Sequence, residues 1–126
     1  MPEPLILQGT NITPNINFNP SINFYEISGY SMPENAHNFY ARIIDWLYDN
    51  IDQLNTPVEL NLKYTFISTS TLKALMELFK AMEEINSVEK DRIKIIWCYD
   101  EDDEDMQEKG EEFIEIVDVP FELKAY

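Results

Sequence analysis

Four consecutive hydroxyl residues, Ser68, Thr69, Ser70 and Thr71, stand between an alternating run, VELNLKYTF, and an apolar-periodic run that begins at Leu72. A hydroxyl at such a junction has two ordinary uses. Its oxygen can cap a free N–H group at a helix start, a task open here to Ser68 or Thr69. It can also accept a phosphoryl group. A phosphate there faces unpaired N–H groups and the positive end of the helix dipole. It adds about two negative charges at one surface point, enough to change docking without moving the fold. Capping needs one hydroxyl, and the chain supplies four.

Other chemistries lack their residues. The single histidine, His37, sits early in a helix-like run with no nucleophile placed beside it, so a structural role is expected. Cys98 lies in an apolar run, where a thiol behaves as a small hydrophobe, and the acids that follow oppose a thiolate. Three glycines cannot build a phosphate-cradling loop. The acidic run DEDDEDMQEKGEE, from Asp100, superficially resembles a calcium loop, but its sixth place is Asp105 rather than the turn glycine. It is read as a solvated acidic face, as are Asp45, Asp49 and Asp52, which no His or Cys joins. One enzymatic alternative survives: a hydrolase or transferase using Asp100 and Asp102 as acid and base.

The elements that must place these residues follow from periodicity. Ile16 and Phe18, then Ile22 and Phe24, predict a hairpin turning at Asn19-Pro20 and ending near Gly29. SMPENAHNFYARIIDWLYDNIDQL predicts a long helix opened by a Ser31–Glu34 capping box with Pro33 in its first turn. Phe39, Ile43, Leu47 and Ile51 form its apolar stripe. VELNLKYTF predicts a strand with Val58, Leu60, Leu62, Tyr64 and Phe66 on one side. A helix with Leu72, Leu75, Met76, Phe79 and Met82 inward follows. RIKIIWCY predicts a buried strand, the acidic run a helix through Phe113, and IEIVDVPFELKAY a last strand split by Pro120. Strands alternating with helices imply right-handed crossovers and a mainly parallel sheet. The expectation is one α/β domain, residues 1–126, with an N-terminal hairpin and about three helices.

Composition sets the setting. Among 126 residues, 44% are hydrophobic and 13% aromatic, so the chain folds despite a net charge of −15. That charge repels nucleic-acid backbones and anionic membrane surfaces, and favours a partner with a basic surface. One cysteine, no signal-peptide pattern and no bilayer-length apolar run lead to an expected cytoplasmic location.

Five segments in order carry a family likeness: GTNITP, MPENAHNFYARIIDWL, LNLKYTFISTSTLKALMEL, WCYDEDDEDMQEKGEEF and VPF. In these the chain resembles the SiaC family of bacterial regulatory phosphoproteins, whose fold is similar to STAS domains. The resemblance implies a non-enzymatic switch without a cofactor. Its phosphosite would be Thr69, modified by a protein kinase and cleared by a PP2C-type phosphatase. The unphosphorylated form would bind a diguanylate cyclase and promote cyclic-di-GMP synthesis and biofilm formation. The resemblance leads one to expect asparagine before that threonine. This chain has Ser68, which leaves Ser68 and Ser70 as alternative acceptors. The expected partner surface is Ser68, Thr69, Ser70, Thr71 and Leu72. The rival reading is a constitutive binding module whose hydroxyls only cap the helix.

Overall fold

The computed structural model describes residues 2–126. Six strands form one sheet in the order of the chain: β1 (Leu5–Leu7), β2 (Asn15–Asn19), β3 (Phe24–Ser31), β4 (Val58–Ile67), β5 (Ile93–Tyr99) and β6 (Phe121–Ala125). The β1–β2 and β2–β3 pairs are antiparallel; β3 through β6 run parallel. Helices α1 (Ala36–Asn50), α2 (Thr69–Val88) and α3 (Glu104–Ile116) make the parallel crossovers. The α/β expectation holds, and the hairpin joins the sheet at its edge rather than folding across it.

All three helices cover the same face. Tyr64 on β4 meets Tyr40 of α1, and Trp97 on β5 packs on Phe113 of α3 and donates to the Met106 carbonyl at 2.9 Å. Phe79 of α2 meets both Phe113 and Phe121 edge-on. The layer sits close because position 110 is glycine. A Cβ there would stand 2.6 Å from Trp97 Cδ1 and from Leu123 Cδ2. Among the described residues no helix covers the opposite face of the sheet, which presents Glu26, Asn61, Lys63, Lys94, Glu122 and Lys124 around the buried Ile96 and Cys98.

Several sequence expectations need correction. Strand β1 was not expected, because three residues are too few to display a period; β2 supplies its pairing. Ile22 is not a strand residue. It ends the 3₁₀ turn Pro20–Ile22 and is exposed, and β3 continues beyond Gly29 to Ser31. Helix α1 starts four residues later than the capping box predicts, with Asn35 as its cap, accepting from Asn38 N–H at 3.0 Å. Ser31 instead closes β3, because its side chain is held in the core. Residues 114–116 complete α3, and only the segment after Pro120 is strand.

Strand β4 keeps its alternation as far as Tyr64. Gly29 pairs with Tyr64 and Tyr30 with Phe66, so Thr65 is an extra residue, a β-bulge. Gly29 sits opposite it at φ 97°, a conformation that glycine adopts without strain. The extra residue reverses the side-chain order. Ile67 turns inward, and Phe66, expected in the core, faces outward.

Candidate functional site

The hydroxyl run sits where β4 meets α2, at the carboxyl ends of the parallel strands, where sites in open α/β sheets gather. The Ser68 N–H donates to the Ser31 carbonyl at 2.9 Å, which ties the start of α2 to the end of β3. Ser68 is extended and caps the helix, its Oγ accepting from Thr71 N–H at 3.1 Å. That settles which hydroxyl is the cap. Thr69, Ser70 and Thr71 are the first helical residues. Ser68 and Thr71 use two of the early N–H groups in these bonds. Those of Thr69 and Ser70 have no partner within the helix.

The four hydroxyls divide. Thr69 and Ser70 are exposed, and Ser68 is half-buried. Thr71 is fully buried. Its place in the expected partner surface is therefore corrected: its hydroxyl faces the core, not a partner. Thr71 Oγ1 donates to the Ser31 carbonyl at 2.8 Å and receives the Ser68 hydroxyl at 3.0 Å. Its one proton is thus used, so the Ser31 hydroxyl, 3.0 Å away, must donate to it. Ser31 Oγ then accepts from Tyr40 at 2.8 Å, and Tyr40 from Tyr64 at 2.7 Å. Protons are thus ordered outward from the core, Tyr64 to Tyr40 to Ser31 to Thr71, and the Ser68 hydroxyl meets Thr71 from the other side. Burial pushes the Tyr40 phenol up to about 12 and Tyr64 well above its ordinary value, so both stay neutral donors. Ser31, Tyr40 and Tyr64 were not foreseen as part of the site. Their signal was present: a tyrosine on an apolar stripe buries an O–H that must find a partner.

Leu72, the fifth expected surface residue, is half-buried. It lines an apolar groove of about 250 Å³ between α2 and α3 with Met76, Phe113 and Ile116.

The residues considered for other chemistry lie in structural roles. His37 Nδ1 meets Glu77 Oε2 at 2.8 Å and links α1 to α2. Burial raises the Cys98 thiol, away from a reactive thiolate. The polar hollow that the carboxylate reading requires is present, about 650 Å³ and open, and Asp100 and Asp102 line it with Asp103, Glu104 and Asp105. Among the described residues that line it there is no Lys, Arg or His. Asp100 also accepts from Asp102 N–H at 2.9 Å, and Asp103 caps α3 through Met106 N–H at 3.0 Å. Among the described residues, no three His, Cys, Asp or Glu side chains group as a metal site.

Comparison with known proteins places this architecture. The family model described as "SiaC family regulatory phosphoprotein" matches residues 7–126. An uncharacterized protein of Pseudomonas aeruginosa strain UCBPP-PA14 is 30% identical over 122 residues, 97% of this chain and 96% of its own. The crystal structure of apo-SiaC from Pseudomonas aeruginosa aligns with a TM-score of 0.84 at 29% identity, covering 98% of this chain and 99% of that one. A structure of the diguanylate cyclase SiaD in complex with its activator SiaC, from the same organism, aligns with a TM-score of 0.85 at 30% identity. That alignment covers 97% of this chain and 99% of the other.

Proposed function

The chain belongs to the SiaC family of regulatory phosphoproteins, and on that premise we propose that it is a non-enzymatic switch controlled by phosphorylation of Thr69. In its unphosphorylated form it binds and activates a diguanylate cyclase, and so raises cyclic-di-GMP and promotes biofilm formation. The similarity to a SiaC solved as the activator of SiaD supports the cyclase as output. A protein kinase writes the phosphate, and a PP2C-type phosphatase removes it. The chain acts as one unit, residues 1–126, in the cytoplasm, where GTP is available to the cyclase. No helix of the described residues is long and apolar enough to cross a membrane, which suits that setting.

One observation carries the choice of residue. Of the four hydroxyls, Thr69 alone takes part in none of the hydrogen bonds described among these residues, and it is exposed. The Ser68 oxygen is committed to the cap, and Ser70 lies 3.2 Å from it. A phosphate on Ser68 would disturb the cap and remove the proton that Ser68 donates to Thr71. On Thr69, at the first helical position, it meets free N–H groups and the positive helix end.

The test is incubation with the cognate kinase and ATP, followed by tandem mass spectrometry. Phosphate is expected on Thr69, and Thr69→Ala should reduce incorporation to background. Full incorporation into Thr69→Ala with Ser68 and Ser70 unlabelled would show that the site is misassigned. Thr69→Glu should lose cyclase activation. A Thr69→Glu protein that binds every partner unchanged would instead identify a constitutive module.

A further inference from the structure

The bulge at Thr65 turns the Phe66 ring onto the uncovered face of the sheet, where the alternation of β3 already places Tyr30. Phe66 and Tyr30 are register partners across β4 and β3, and each is 46% exposed. Ile12 joins their corner: its carbonyl accepts the Met32 N–H at 2.8 Å, and its side chain is 38% exposed. An aromatic pair left in water at the end of a sheet is costly unless something covers it. Phe66 stands three residues before Thr69, and Thr65, beside it, lines the hollow with five carboxylates.

We propose that Tyr30 and Phe66 are the anchoring contacts for the diguanylate cyclase. This inference rests on the functional reading above. The complementary surface is an apolar ridge flanked by Lys or Arg. The ridge covers the two rings, and its cations face the acidic hollow. Desolvated aromatic anchors with a charged rim suit a stable complex. The kinase needs only the exposed Thr69 hydroxyl. Phosphate on Thr69 would then act at the margin of this surface, where added negative charge and its hydration oppose closure over the rings.

Phe66→Thr and Tyr30→Thr remove the rings and keep β-branched side chains suited to strands. Ile22→Thr, at an exposed apolar residue in the turn that precedes β3, is the control. Cyclic-di-GMP synthesis by the cognate cyclase, the homologue of SiaD from the same source, is titrated with each protein, and Thr69 phosphorylation by the kinase is measured alongside. Each ring variant should raise the half-maximal activating concentration by about tenfold or more. Both should be phosphorylated at the wild-type rate, which also reports an intact α2 start, and Ile22→Thr should match wild type. Wild-type activation by the ring variants overturns the assignment. Loss of phosphorylation together with activation, in proteins that still melt cooperatively, assigns the rings to the kinase and also overturns it. If the wild-type protein itself fails to activate the cyclase, the functional reading falls, and this inference with it.

Discussion

Tyr40 and Tyr64 sit at the inner end of the proton chain, and their burial gives the protein an alkaline limit. Below pH 10 folded and unfolded chains both keep these protons, and the contribution of the phenols is complete. Above it, the unfolded chain releases protons that the folded chain holds up to about pH 12 for Tyr40. Stability therefore falls as pH rises through this window, by about 2–3 kcal/mol from Tyr40 alone. Urea unfolding between pH 8 and 12 checks this, and Tyr40→Phe should flatten the slope. The same variant should lose about 1–3 kcal/mol at pH 7, because Ser31 loses its donor and Tyr64 its acceptor. At this scale the hydroxyl run was legible from residue type alone, and so was its cap, to within one position. The division between exposed Thr69 and buried Thr71 was not. It depends on Ser31, which lies 40 residues away in sequence and meets Thr71 only once the sheet has formed.

Helix α3 lies against the sheet through Gly110, and that approach fixes the acidic end of the molecule. Gly110→Ala would gain about 1 kcal/mol of helix propensity. It would also force a methyl against Trp97, whose ring is held in place by its bond to Met106. Overpacking of this kind costs about 1–3 kcal/mol. The expected result is net destabilisation, seen as a lower urea midpoint with an unchanged slope. A midpoint at or above wild type would mean that α3 shifts freely. Elements with a sustained period, α2 and most of β4, were readable in the sequence. Those decided by one residue were not. The bulge at Thr65 breaks no composition rule, yet it reverses every side chain after it. The start of α1 was misplaced because Ser, Pro and Glu satisfy a capping pattern locally, while Ser31 is claimed by the core.

A net charge of −15 on a small protein acts at long range. A basic partner is drawn toward it before contact, and salt shortens that reach to about 8 Å at physiological strength. The association rate with the cyclase should therefore fall several-fold between low and physiological salt, while dissociation changes less. Stopped-flow or surface binding at several salt concentrations measures both, and a rate indifferent to salt would exclude electrostatic steering. The alternation of strands and helices made the parallel sheet legible at this scale. The position of the hairpin was not, because two short antiparallel strands can satisfy their hydrogen bonds at either edge.

The strands lie side by side in the order in which they are made. Each new strand emerging during synthesis finds its neighbour already in place, with no gap held open for a later insertion. Pairing of this kind closes short loops and avoids long searches. The hydrogen bonds of the corner that carries Thr69 draw on β3, α1, β4 and the start of α2, all of which precede β5 in the chain, and Trp97 of β5 packs behind them on Tyr64. The last quarter of the chain, from Ile93 on, then adds the acidic end beside that corner. The order of birth thus sets the hydroxyl corner apart from the densest run of acids, Asp100–Asp105.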